Sequence, residues 1–260
     1  MSQNIQAKPV ALVTGASRKI GIGAAIAKTL AQSGWDVATT YWRAYDDSMP
    51  WVSQPDEAHN IIQQVGACGS RAVGIEADLG DTIVPKSVFD QVETALGPVT
   101  ALVMSHCHSV DSDIFTTTVE SFDQHFAINT RATWLLVREF GLRYRGDFGD
   151  GRIIAITSDH TVENLPYGAS KGAMDRIVLA AAHEFKDLGI TANVINPGAT
   201  DTGWMTPELM DHERERIPLG RVGTPQDCAN LVRFLCSSEG GWINGQLLFS
   251  NGGVGTTCLI

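Results

Sequence analysis

The sequence predicts an α/β fold built on a doubly wound parallel sheet of about seven strands with helices on both faces. Three observations carry that prediction. Short apolar runs rich in valine and isoleucine alternate along the whole chain with helical patterns of about ten residues or more, and a strand followed by such a helix needs a crossover, hence parallel pairing. A glycine-bearing turn joins the first strand to the first helix. The 260 residues, 43% hydrophobic, carry no spacer rich in serine, proline or glycine, no fixed-period repeat and no low-complexity tract, so a single domain over 1–260 is expected.

In order, a strand is expected over Pro9–Thr14, then the turn, then a helix over Ala24–Gln32 stopped by Gly34. Trp35–Tyr41, Arg71–Glu76 and Val99–Met104 read as strands, with helices Asp56–Val65 and Pro85–Leu96 between them. Trp42–Pro55, polar and aromatic, with two prolines and no periodicity, reads as a loop. Helix Val119–Arg145, strand Arg152–Thr157, helix Gly168–Leu188, strand Thr191–Asn196, helix Thr224–Cys236 and strand Gln246–Phe249 complete the alternation.

Composition narrows the function. A net charge of -10 with no lysine/arginine cluster argues against nucleic acid and anionic membrane as partners. Five cysteines (Cys68, Cys107, Cys228, Cys236, Cys258) without a CxxC pair point to reduced thiols rather than a disulfide framework or a zinc site. Met1–Val10 is polar, and no run of about 18 apolar residues follows, so a cytoplasmic protein is expected.

The chemistry centres on Tyr167-Gly-Ala-Ser-Lys171. Residues four apart share one helical face, so the Tyr167 phenol and the Lys171 ammonium point into one cleft. A free phenol ionises near pH ~10, and a neighbouring cation favours the phenolate, so Tyr167 is expected to act as a general acid/base nearer neutrality. The turn Thr14-Gly-Ala-Ser-Arg-Lys-Ile-Gly-Ile-Gly23 stands where helix N-terminal amides hold a pyrophosphate. Candidate dinucleotide contacts there are Gly15, Ser17, Arg18, Gly21, Ile22 and Gly23. Asp78, just after the third strand, is either an acceptor for an adenine amino group or a solvated turn aspartate. Tyr41 stands where an acid would grip a ribose 2′-hydroxyl; with Arg18, Lys19 and Arg43 nearby, NADP(H) is favoured over NAD(H).

Taken together, these motifs resemble the short-chain dehydrogenase/reductase (SDR) family over nearly the whole chain. The resemblance rests on the glycine loop, Asp78-Leu79, Asn129 in Phe-Ala-Ile-Asn-Thr, Ser158, Tyr167/Lys171 and Asn196-Pro197-Gly198, which fall in the family's order. Within it, the chain is similar to proteins labelled 3-oxoacyl-[acyl-carrier-protein] reductases, especially a subset with an aromatic insert such as Tyr41-Trp-Arg-Ala-Tyr45 and Met49-Pro-Trp51. The resemblance implies a Rossmann fold, Tyr167 exchanging the proton of a carbonyl or alcohol, and Lys171 depressing its pKa while contacting the nicotinamide ribose. It further implies Ser158 holding the substrate oxygen, Asn129 supporting a water chain to the lysine, and Thr202 bonding the carboxamide. Leu79, Ser105, Pro197, Gly198 and Thr200 are carried over as cofactor neighbours, and helices Val119–Arg145 and Gly168–Leu188 as the core of a homotetramer or homodimer.

The chain departs from the family in four places. Five residues stand between Gly15 and Gly21 where the family has three; either Lys19-Ile20 are inserted, the preferred reading, or the middle glycine has become Lys19. Met104-Ser-His-Cys107 replaces Asn-Asn-Ala-Gly, removing an amide that braces the central strands and a glycine beside the cofactor. The Ser158–Tyr167 connection is shorter, and Ser250-Asn-Gly-Gly253 replaces an aspartate before paired glycines. No metal is expected at His106, Cys107 and His108, because Asp111 and Asp113 lack ligand spacing. His106, His160, Asn164, Trp204 and Met205 are expected to line the substrate space, with residues 200–218 as a mobile lid. The expected function is hydride transfer between NADP(H) and a ketone, 3-oxoacyl group or secondary alcohol. The alternative is a nucleotide-sensing or dehalogenase-like relative without redox turnover, motivated by the altered glycine loop and the lost amides.

Overall fold

The computed structural model of the chain describes residues 8–49, 51 and 54–255; Pro50, Cys258 and the polar stretch 1–7 lie outside the described residues. Seven strands, β1 (Val10–Thr14), β2 (Asp36–Tyr41), β3 (Ala72–Glu76), β4 (Val99–Met104), β5 (Arg152–Ile156), β6 (Thr191–Asn196) and β7 (Leu247–Phe249), form one sheet in the order 3-2-1-4-5-6-7. Every pairing is parallel.

Strand residues alternate between two faces, and each face carries its own core. Val10, Leu12, Leu102, Met104, Ile153 and Val194 pack beneath α4 (Val84–Ala95), α6 (Ala132–Arg143) and α7 (Leu165–Glu184). Ala11, Val13, Ala101, Val103, Ile154 and Ile195 pack beneath α1 (Ile22–Gln32), α3 (Glu57–Ala67) and α9 (Pro225–Leu235). Burial on both sides is why these strands read as continuous apolar runs rather than alternating ones.

Several elements differ from the sequence expectation. Trp42–Pro55 is not all loop: α2 (Arg43–Ser48) follows directly on Trp42, and Asp46, near its middle, is buried. Six residues are fewer than two turns, too few for a period to register. The expected helix Val119–Arg145 is three pieces: α5 (Val119–His125), a π-helical segment Phe126–Arg131, and α6, which ends at Arg143. Helix α7 starts at Leu165 rather than Gly168, with Pro166 in its first turn where a missing N–H costs nothing. Within the expected lid, α8 (Pro207–Arg216) forms, capped by the Thr206 hydroxyl.

Candidate active site

In a parallel sheet all loops that follow strands emerge at one edge, and a crevice opens where neighbouring strands send their chains in opposite directions. Here that point lies between β1 and β4, whose following loops, 15–21 and 105–110, part from each other. Ser158 follows β5, residues 197–203 follow β6, and the first turns of α7 close the far wall.

Tyr167 and Lys171 lie one turn apart on α7. The Tyr167 phenol hydrogen-bonds the Ser158 hydroxyl. Lys171, 2% exposed, donates from Nζ to the carbonyls of Ile156 at 2.9 Å and His106 at 3.4 Å. Its Nζ stands 5.8 Å from the centre of the Tyr167 ring. That geometry corrects the expectation that Lys171 lowers the tyrosine pKa. Burial raises the Tyr167 pKa, the nearby Cys107 and Tyr45 add to the rise, and only the bond from Ser158 opposes it. Burial also lowers the Lys171 pKa, so among the chain's own groups the cation is weakened and held toward carbonyls rather than the phenol oxygen.

Asn129 sits in the π-segment, fully buried. Its Oδ1 accepts from His108 N–H at 2.7 Å, and its Nδ2 donates to the His108 carbonyl and the Ser170 hydroxyl, each at 2.9 Å. Both side-chain N–H groups are therefore committed, and the amide clamps the loop after β4 to α7. π-turns of this kind concentrate at functional sites.

The lost family amides are replaced in a way the sequence did not reveal. His106, expected to line the substrate space, is only 6% exposed and points inward. Its Nε2 meets the Ile128 carbonyl at 3.2 Å and its Nδ1 the Thr14 hydroxyl at 2.7 Å. A carbonyl only accepts, so Nε2 carries the proton and Nδ1 accepts from Thr14. The imidazole thus ties the end of β1 to the π-segment, and burial, with Lys171 nearby, pushes its pKa down to about 3. Asn164, also expected to line the substrate, is 3% exposed and ties α7 to the same loop through Ser109 Oγ (3.0 Å) and Asp111 Oδ1 (2.6 Å). The chain turns at His160, whose N–H donates to Ser158 Oγ at 3.2 Å and whose carbonyl lies against Gly168, leaving no room there for a Cβ. Trp204 is 42% exposed and Met205 half-buried at the start of the 200–218 segment.

The glycine loop fits a dinucleotide phosphate. A Cβ on Gly15, at φ +74°, would stand 2.6 Å from the His106 backbone, and one on Gly23 2.5 Å from the Gly15 carbonyl, so the turn closes only with glycine. Helix α1 begins after Gly21 with no side-chain cap and no acid in its first turn, leaving its amides free for an anion. The helix starts at Ile22, with Gly21 as its extended N-cap. Ser17 faces the buried Asp46 carboxylate. Arg18 donates from Nη2 to the Thr202 carbonyl at 2.6 Å and stacks 4.4 Å above the Trp51 ring, so part of its donor set is already engaged. Arg43 pairs with Asp47 at 3.4 Å, and the Tyr41 ring lies beside Gly74 of β3. Asp78 Oδ1 accepts from Gly80 N–H at 2.9 Å, the turn arrangement, and Leu79 is buried. Ser105 continues the β1–β4 ladder, its N–H meeting the Thr14 carbonyl at 3.3 Å. Pro197 is buried, Gly198 takes φ +62° with Asn251 where a Cβ would go, and Thr200 Oγ1 donates to the Gly198 carbonyl at 3.2 Å.

Sequence reasoning missed a cluster around the insert. The Tyr45 hydroxyl bonds the Ser109 carbonyl (3.3 Å) and N–H (3.2 Å), and its ring centre lies 5.3 Å from that of His108. His108 in turn meets the buried His125 edge-on at 4.6 Å. Burial, then the neighbouring His125, pushes the His108 pKa down to about 4. The only signal was the aromatic content of Tyr41–Trp51. His106 and His108 thus make separate contacts, and Cys107 between them opens onto the cleft.

Comparisons with known proteins agree with this architecture. The sequence model of the family described as enoyl-(acyl carrier protein) reductase matches residues 15–255. An uncharacterised oxidoreductase, YjdA of Bacillus subtilis (strain 168), is 34% identical over 249 residues, covering 94% of this chain and 96% of its own. An Arabidopsis thaliana protein named NADPH-dependent aldehyde reductase-like protein, chloroplastic, is 35% identical over 255 residues, covering 94% and 93%. The crystal structure of a short chain dehydrogenase from Burkholderia cenocepacia J2315 in complex with NADP superposes with a TM-score of 0.83 at 32% identity, covering 95% of this chain and 98% of that one. The chain belongs to the short-chain dehydrogenase/reductase family and is an NAD(P)-dependent oxidoreductase of that family.

Proposed function

We propose that the protein is an NADP(H)-dependent reductase acting on a carbonyl of ketone or 3-oxoacyl type, or on the corresponding secondary alcohol, with Tyr167 as general acid/base. The observation that carries this reading is the hydrogen-bonded pair of Ser158 and Tyr167 above a buried Lys171. Two hydroxyls at one oxygen-binding point polarise a carbonyl, and a phenol kept protonated by burial is ready to donate as the oxygen gains charge. The raised Tyr167 pKa keeps the phenol in the protonated form that donates to a carbonyl oxygen. NADP(H) supplies or accepts the hydride. The glycine turn and the free α1 amides would hold its phosphates, with Arg18 and Arg43 offering charge to the 2′-phosphate, and Lys171 would position the ribose. The NADPH-dependent name of the Arabidopsis relative and the NADP complex of the Burkholderia neighbour support the phosphorylated cofactor.

The chain acts as one domain, with 200–218 covering the substrate, and works in the cytoplasm; among the described residues no helix is long and apolar enough to cross a membrane. Self-association as a homotetramer or homodimer is supported by the outward apolar groups Phe122, Phe126, Trp134 and Ile177 on α5, the π-segment, α6 and α7. Of the two motives for the reading without redox turnover, the lost amides weigh less, since His106 makes a brace at that place.

The test is direct. NADPH fluorescence should rise on adding the protein, and absorbance should then fall with one member of a panel of ketones and a β-ketoester. Tyr167→Phe should bind NADPH like the wild type and lose turnover by roughly 10²–10⁴-fold. Wild-type turnover in that variant rules out the assigned proton donor, and tighter binding of NADH than NADPH rules out the cofactor preference.

A further inference from the structure

Residues 18–20 of the glycine loop make contacts that reach across the cleft. Their turn closes through Gly21 N–H to the Arg18 carbonyl at 2.9 Å. It presents Ile20, 53% exposed, to the segment after β6, where a Cβ on Gly203 would stand 2.7 Å from Ile20 Cδ1. Arg18 Nη2 donates to the neighbouring Thr202 carbonyl at 2.6 Å while its guanidinium stacks on Trp51. Lys19 N–H meets Glu57 Oε1 at 3.3 Å at the start of α3. Chain segments that follow β1, β2 and β6 therefore converge on one turn.

Beyond Gly203 the chain is anchored again only near the end of the segment, where Ile217 is buried. None of the residues of α8 is buried. The segment is pinned before it by Asp201 N–H to the Gly223 carbonyl at 2.8 Å and after it by Leu219 N–H to the Gly252 carbonyl at 3.3 Å. A helix without buried contacts opens at low cost unless its hinge is held. At the hinge, Gly203 takes φ +75° and donates its N–H to Asp201 Oδ1 at 3.2 Å, and from the glycine loop Arg18 and Ile20 reach Thr202 and Gly203.

We propose that Arg18 and Ile20 are positioning residues that latch the 200–218 segment to the nucleotide loop, so that holding the cofactor and covering the substrate are coupled. The proposal rests on the reading of the loop as a cofactor cradle and of 200–218 as a cover. Coupling of this kind is reciprocal: a nucleotide that orders the loop favours the closed segment, and the closed segment slows nucleotide release.

The experiment uses limited trypsin digestion of the full chain, with cleavage after Arg214 and Arg216 on α8 followed by mass spectrometry, and NADPH release followed by stopped-flow fluorescence. Both arginine side chains are about half exposed, at 54% and 55%. Without nucleotide, Ile20→Ser should be cut at these sites about fivefold faster than the wild type, while cleavage after the exposed Arg145 stays unchanged. Arg18→Lys, whose ammonium lacks the fork that both stacks and reaches Thr202, should open the same sites. With NADPH, wild-type cleavage should slow, and release from Ile20→Ser should be faster by a similar factor. Equal cleavage of α8 in both variants and the wild type overturns the latch. Failure of the wild type to bind NADPH instead overturns the coupling together with the cofactor reading.

Discussion

Replacing His106 with leucine tests the brace that stands in for the family's amide. The substitution keeps most of the volume but removes both ring nitrogens, leaving the Thr14 hydroxyl, 0% exposed, and the Ile128 carbonyl without their partner. Each orphaned buried group costs about 1–3 kcal/mol, so a loss of about 4 kcal/mol is expected near pH 8. At about 2–4 °C per kcal/mol for a chain of this size, the melting temperature should fall by about 8–16 °C. A second signature follows from linkage. The folded-state pKa of His106, about 3, lies below the unfolded value of about 6.5, so the neutral ring's contribution is complete above pH ~6.5 and is lost as pH falls toward 3. By pH 5 the wild type gives up about 2 kcal/mol at this residue, at about 1.36 kcal/mol per pH unit, and the leucine variant gives up none. The gap between the two proteins should therefore narrow from about 4 to about 2 kcal/mol. Thermal melts of both at pH 8 and pH 5 measure it. A variant as stable as the wild type at pH 8, or a gap that does not shrink in acid, refutes the assigned brace and its tautomer.

Asn129→Ala should cost about 2–4 kcal/mol in urea unfolding, because it strands the buried His108 amide and carbonyl, and should lower turnover at least tenfold as the loop beside Tyr167 loosens. A loss within about 0.5 kcal/mol would mean the clamp is not made. Tyr45→Phe removes the hydroxyl that holds Ser109 and should speed hydrogen exchange at the Ser109 amide about fivefold, for a loss of about 1 kcal/mol. Unchanged exchange there would detach the insert from the loop.

Much of the sheet was legible in the sequence for a local reason: the central strands β1, β4, β5 and β6 are buried on both faces, so their apolar runs stand out from the helical patterns beside them. The order Ser158, Tyr167, Lys171 was legible because the last two share one helix face. What stayed hidden is non-local or too short to repeat. His106 works through Thr14, 92 residues earlier, and Arg18 through Thr202, 184 residues later; spacing carries no trace of either. Asn164 carried a polar side chain near the site, and nothing local distinguished a tie to Ser109 from a substrate contact. The π-segment at Phe126–Arg131 differs from α-helix by one hydrogen-bond step, which hydrophobic periodicity cannot register.

That π-segment and the altered loop after β4 are best understood as one device. Ile128, through its carbonyl, holds the side chain of His106, and Asn129, through its amide, holds the backbone of His108. Two successive residues of the π-turn thus grip two alternate residues of an extended loop. In extended chain, alternate residues point the same way and the one between points opposite. With 106 drawn into the protein, 107 must face out, and Cys107 is indeed exposed while His106 is buried. The imidazole brace therefore does more than replace a missing amide. It fixes which side chain of Ser105-His106-Cys107 the cleft meets, and it brings that thiol close enough to the Tyr167 phenol to add to the rise in its pKa. A substitution at 106 should reach the proton donor through 107, whereas one at 107 should leave the brace intact.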